Sequence, residues 1–124
     1  MILVDSCGWL QYYQDGPLAQ AYTEYLAAEA VCVPTIVLYE VYKIVRRSAP
    51  QEVAEEVAAE MRTRRVVPLT DDIAVLAAEV ALEHKLAMAD AIVLATARAV
   101  NAQLVTSDSD LGKLEDVQYL DPGT

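Results

Sequence analysis

Short apolar runs rich in β-branched residues alternate along this chain with stretches of helical length, and that alternation is what most restricts its fold. The runs are ILV (2–4), VCV (31–33), RVVPL (65–69) and QLVT (103–106), with a weaker one at VQYL (117–120). Between them lie LAQAYTEYLAAEA behind Pro17, TIVLYEVYKIVRRS (35–48), QEVAEEVAAEMRTR (51–64) behind Pro50, DIAVLAAEVALEHK and AIVLATARAVNA. A proline in the first turn favours a helix start, as does a capping residue such as Thr70 or Asp71, and Asp90 stands near the start of the last helical stretch. Strands that alternate with helices predict an α/β fold: a central parallel sheet of four to five strands flanked by helices. No linker, low-complexity tract or internal repeat interrupts the pattern, so one domain over residues 1–124 is expected. In open parallel sheets ligands bind beyond the carboxyl ends of the strands. Asp5 follows the first strand directly and Asp108 lies two positions past the fourth, which puts both on one rim.

Composition removes several classes of function. The 124 residues carry 19 acids against 9 bases, a net charge of −10, which argues against a broad basic surface for nucleic acid. A metal ion, a basic protein partner or a nucleic-acid contact confined to a small patch all remain compatible with it. None of the four glycines belongs to a GxGxxG or GxxxxGKS phosphate loop. No apolar run approaches the ~20 residues of a membrane span. The N-terminal segment also lacks the basic stretch and cleavage site of a signal peptide, so a cytoplasmic protein with no membrane contact is expected. Cys7 and Cys32 form no CxxC pair and read as two reduced, buried thiols. A single histidine, His84, rules out a two-histidine ribonuclease mechanism, and it closes a helix, where a structural role is expected. No Gly-x-Ser-x-Gly or paired Cys/His spacing supports a covalent nucleophile.

Most acids have a simple place. Glu52, Glu55, Glu56 and Glu60 follow helical spacing as a solvated face, Glu79 and Glu83 form an i, i+4 pair, and Asp71 and Asp72 suit a helix start. Glu115, Asp116 and Asp121 fall in a polar tail. Four others stand in apolar company: Asp5 at the end of ILV, Glu40 inside TIVLYEVYKIV, Asp90 inside LAMADAIVLATA, and Asp108 closing LVTSD. Singly, Glu40 pairs with Lys43, Asp90 caps a helix, and Asp5 and Asp108 are turn residues. Together the four are brought toward one rim by the expected fold. Clustered carboxylates repel until protons or a cation neutralise them, and oxygen-only ligands suit a hard ion such as Mg²⁺ or Mn²⁺.

With those residues in place, the chain resembles a PIN domain and, within that family, a VapC-type toxin of a bacterial toxin–antitoxin pair. MILVDS resembles the opening strand and its Asp, TIVLYEV the helix segment carrying the Glu, ADAIVLATA the third acidic motif, and LVTSDSDL the TxDxDF element with Leu111 in place of an aromatic. The likeness runs from position 2 to 111. It implies a PIN-like domain acting as a Mg²⁺- or Mn²⁺-dependent endoribonuclease on RNA. Asp5, Asp90 and Asp108 would hold the ion directly or through water, and Glu40 would orient or deprotonate the attacking water. Thr106 and Ser6 would fix carboxylate rotamers. Asp110 reads either as an extra ligand or as an exposed turn acid, and its spacing from Asp108 favours neither. A cognate antitoxin that puts an Arg or Lys among the carboxylates is expected as partner, together with a homodimer. The rival readings are a phosphoryl-accepting receiver domain, which expects paired acids where Asp5 is followed by Ser6, and a non-catalytic PIN-fold binding module.

Basic and aromatic residues divide two ways. Lys43, Arg46 and Arg47 follow Glu40 on one helix and suit either RNA phosphates or a solvated helix end. Arg62, Arg64 and Arg65 are expected to be solvated. Trp9, Tyr12 and Tyr13 suit base stacking or, preferably, core or dimer contacts.

Overall fold

The computed structural model describes residues 1–123. Five strands form one sheet: β1 (Ile2–Val4), β2 (Val31–Pro34), β3 (Arg65–Val67), β4 (Gln103–Thr106) and β5 (Val117–Tyr119), in the order β3-β2-β1-β4-β5 and all parallel. Around it lie α1 (Ser6–Gln14), α2 (Ala19–Leu26), α3 (Thr35–Ser48), α4 (Gln51–Met61), α5 (Asp71–His84), α6 (Met88–Ala99) and α7 (Ser109–Gly112). Because β1 is central, the chain departs from it to β2 on one side and returns to β4 on the other. The gap beyond the carboxyl ends of β1 and β4 is the switch point where such sheets bind ligands. The register sets Val4 beside Val105, and the Asp5 N–H donates to the Val105 carbonyl at 3.0 Å. This strand order differs from the 2-1-3-4-5 order of receiver domains, so the receiver reading is set aside.

The three central strands β1, β2 and β4 are largely buried on both faces and therefore carry continuous apolar runs, whereas the edge strands β3 and β5 are partly exposed. Leu3, Val4, Cys32, Val33, Leu104 and Val105 are 0–1% exposed. Seven consecutive residues of α6, Ala91 to Ala97, are buried, so this helix is covered all round. Its alanines let α5 approach closely. Leu111, which stands where the resembled family has an aromatic, is fully buried. Among the described residues no helix is long and apolar enough to cross a membrane.

Several elements differ from the sequence reading, each for a local reason. SCGWLQYYQ lies outside every element expected from the sequence, yet it forms α1 directly after Asp5, which caps it in extended backbone by accepting the Ser6 N–H at 2.8 Å. Gly8 permits this: a Cβ there would lie 2.4 Å from the Tyr22 ring and 2.5 Å from Val4. The helices expected over 18–30 and 51–64 stop at Leu26 and Met61. Strand β3 stops at Val67 because Pro68 has no N–H for the ladder. Helix α6 starts at Met88 rather than at 91, which puts Asp90 third in the helix; the N-cap position is Ala87, and Asp90 caps nothing.

Four side chains expected to be plain surface or local pairs have other partners. Glu60 accepts hydrogen bonds from the Tyr12 and Tyr13 hydroxyls at 3.3 and 2.9 Å. Arg64 packs over the ring of Trp9, 5.6 Å from its centroid, and Trp9 itself is fully buried, out of reach of any base. Asp116 accepts two hydrogen bonds from the Arg98 guanidinium, at 3.0 and 3.3 Å. Lys43 lies 4.9 Å over the Tyr39 ring instead of pairing with Glu40.

Candidate metal centre

Asp5 ends β1 and caps α1, which leaves its carboxylate at the bottom of the switch-point gap, 5% exposed. One oxygen accepts the Ser6 N–H; the other accepts the Thr106 hydroxyl at 2.7 Å. Burial pushes this carboxyl above its ordinary range, the two hydrogen bonds pull it back, and the charge of Asp108 pushes it up again. Thr106 is fully buried at the end of β4, and its hydroxyl also accepts the Asp108 N–H at 3.0 Å. One hydroxyl therefore ties the two strand-end aspartates together.

Asp108 caps α7 much as Asp5 caps α1. Its Oδ1 accepts the N–H groups of Asp110 and Leu111 at 2.8 and 3.2 Å, and its Oδ2 carries no hydrogen bond from the described residues. Asp90 comes from the other side, on the first turn of α6. It is half-buried, and neither oxygen accepts a hydrogen bond from the described residues. Burial and then the charges of Asp108, Asp5, Glu40 and Asp110 push it up to about 6. Glu40, half-buried on α3, is raised by burial and by Asp5, with the Ser6 side chain and Lys43 opposing. Five acids thus share one field.

One oxygen each from Asp90, Asp108 and Asp110 lies within 4.8 Å of the others. The ligand set expected from sequence had Asp5 in the place of Asp110. In the structure Asp5 stands outside that triplet with both oxygens engaged, while Asp110 is exposed and 3.6 Å from the Lys113 ammonium. No other cation lies within 4 Å of these acids among the described residues. The donor set fits a hard divalent ion: oxygens only, negative, with Asp90 and Asp108 each keeping an oxygen that accepts no hydrogen bond from the described residues.

Three residues of this neighbourhood were not singled out as site residues by sequence reasoning. The Cys7 sulfur lies 3.9 Å from Asp5 and accepts the Ser107 N–H at 3.3 Å, and burial and Asp5 both hold its thiol protonated. The Ser107 hydroxyl meets the Tyr22 hydroxyl at 2.6 Å, which ties the Asp108 loop to α2. Tyr22 on a helix face carried no signal beyond an apolar one. Ser107 and Cys7 had only their nearness to Asp108 and Asp5 to mark them.

The model of the PIN domain family matches residues 2–117 of this sequence. The chain belongs to that family. Its fold is also that of several solved PIN structures. A toxin–antitoxin complex from Klebsiella pneumoniae superposes with a TM-score of 0.83 at 21% identity, covering 99% of this chain and 98% of that one. VapC20 of Mycobacterium tuberculosis, described as a sarcin–ricin loop cleaving toxin, gives 0.76 at 22% identity over 91% and 94% of the two chains. VapBC2 of Rickettsia felis, bound to a promoter DNA fragment, gives 0.75 at 18% identity over 97% and 98%. Among curated protein sequences none matches significantly. At these identities the likeness is one of fold.

Proposed function

We propose that this PIN domain is a metal-dependent endoribonuclease and the toxin of a toxin–antitoxin pair. The observation that carries the reading is the unpartnered Asp90 carboxylate, facing Asp108, Asp5, Glu40 and Asp110 at the sheet's switch point. Family membership and the toxins that share its fold support it.

Asp90 and Asp108 would hold Mg²⁺ or Mn²⁺, with Asp110 beside them and Asp5 contributing directly, through water or through its charge. A divalent ion there supplies a water of lowered pKa and neutralises charge developing on a phosphate oxygen. Thr106 holds Asp5 and the Asp108 backbone in register, so the carboxylates are oriented before the substrate arrives. Glu40, with a raised proton affinity, accepts the proton of the attacking water.

The partner is a cognate antitoxin that puts an Arg or Lys among the carboxylates, where charge-assisted hydrogen bonds compete with the metal. The working unit is a cytoplasmic homodimer. The test is incubation of purified protein with structured RNAs, with Mg²⁺ or Mn²⁺ and with EDTA. Cleavage should require the ion and disappear in Asp90→Asn. Undiminished cleavage in excess EDTA overturns the metal mechanism, and no cleavage under any condition leaves a non-catalytic binding module.

A further inference from the structure

The molecule carries a net charge of −10, yet four of its nine basic residues, Lys43, Arg46, Arg47 and Arg62, line one groove of about 660 Å³ between α3 and α4. None of the four has a carboxylate within 4 Å among the described residues, whereas Arg64, Arg98 and Lys113 are each paired, at 3.9, 3.0 and 3.6 Å. Cations gathered without close carboxylate partners on an otherwise acidic surface favour an outside anion at that place. Part of the groove wall is aromatic: Tyr39 is 57% exposed, and Tyr42 lies on the same helix one turn away. Exposed aromatic rings interleaved with cations are the elements by which single-stranded nucleic acid is held.

The groove and the candidate metal centre share one helix. Helix α3 carries Glu40 and three of the four cations. Lys43 follows Glu40 by one turn and Arg47 by two, roughly 10 Å along the axis at 1.5 Å per residue. We propose that this groove binds the sugar–phosphate backbone of the RNA one or two nucleotides from the scissile bond. Lys43, Arg46, Arg47 and Arg62 take phosphates, and Tyr39 stacks on a base. A broad basic face is unnecessary on such an enzyme, since a chain this acidic admits a polyanion at one place and so orients it. The inference rests on RNA being the substrate.

The experiment measures binding of a fluorescein-labelled single-stranded oligoribonucleotide by anisotropy, in EDTA, across a salt series. Subjects are the wild type, the Arg46→Ala/Arg47→Ala/Arg62→Ala variant, and Arg65→Ala as a cation outside the groove. Each lost phosphate contact should flatten the slope of log K against log salt by about 0.7, so the triple variant should lose about 2 and Arg65→Ala nothing. In Mg²⁺ the triple variant should show its loss chiefly in KM. All four positions but Lys43 are tested by this set, and the altered side chains are exposed, so thermal melts should stay within about 2 °C of wild type. RNA binding by a wild type that does not cut supports the groove while refuting the proposed function. Equal slopes for wild type and triple variant overturn the groove while leaving the nuclease standing. A wild type that binds no RNA overturns both. Unchanged RNA binding in a triple variant that has lost a protein partner or its own dimer reassigns the groove as a protein interface and also overturns the proposal.

Discussion

Asp90→Asn should stabilise the protein when metal is absent. Asp90 accepts no hydrogen bond, so the amide loses none, keeps the shape and removes one charge from a field of five acids. A carboxyl with an ordinary value of 3.8 that is pushed up to about 6 in the fold resists ionisation there. Fully unscreened, that resistance would cost about 3 kcal/mol above pH 6. Asp90 is only half-buried, and water screening brings the cost to about 1 kcal/mol. For a domain of this size that is a rise of about 4 °C in melting temperature. The sign with pH follows from the raised value. The folded state binds the proton more tightly than the unfolded one, so wild type is spared the cost below 3.8, loses stability as pH climbs to about 6, and stays lower beyond it. The gain from Asp90→Asn should accordingly be full at about pH 7.5 and fade toward about pH 4. Thermal melts in EDTA at both pH values measure it. Added Mg²⁺ at about a hundred times its dissociation constant should stabilise wild type by about 2.7 kcal/mol and the variant by clearly less. If the variant melts at or below wild type in EDTA at neutral pH, or its gain persists unchanged in acid, Asp90 does not face a carboxylate field.

Asp5→Asn should behave in the opposite way: an amide cannot accept from both Ser6 and Thr106, and losing one buried bond, about 1–2 kcal/mol, outweighs the relieved repulsion. Its melt in EDTA should fall below wild type, and a rise would refute the bonding described. Thr106→Val keeps the shape but strands a buried carboxylate oxygen and the Asp108 N–H. Urea unfolding should show a loss of about 2–3 kcal/mol, and a loss below about 0.5 kcal/mol would mean that the hydroxyl does not tie the two aspartates. Asp116→Asn removes the charge and one of the two oxygens that accept from the Arg98 guanidinium, whose hydrogen bonds hold the Asp116 carboxyl below its ordinary value. The pair is partly exposed and worth at most about 1 kcal/mol, present above about pH 4 and lost as pH falls further, so the variant and wild type should converge in acid.

The sheet was legible because a strand buried on both faces must be apolar throughout, and ILV, VCV and QLVT can be little else. Helix α1 was not, because the residue that starts it also ends a strand: no linker separates the two, and Gly8 looks like a helix breaker until Tyr22 is seen to need the space. Glu60 was misread for a different reason. Its tyrosine partners lie 47 and 48 residues away, and local spacing cannot report them. The four central acids could be found because each stood among apolar neighbours, where an unpaired carboxylate is costly. What spacing could not show is which oxygens remain free. That depends on the caps: each Asp5 oxygen accepts one hydrogen bond, from the first amide of α1 and from Thr106, whereas Asp108 answers two amides of α7 with one oxygen and leaves the other without a hydrogen bond among the described residues. Two aspartates in equivalent positions at neighbouring strand ends thereby differ in their hydrogen bonding. Asp5 holds the rim together and contributes its charge at close range. Asp108 keeps one oxygen, and Asp90 both, without a hydrogen bond from the described residues. The opposite stability effects expected for Asp5→Asn and Asp90→Asn follow from that division, and from nothing visible in the order of residues alone.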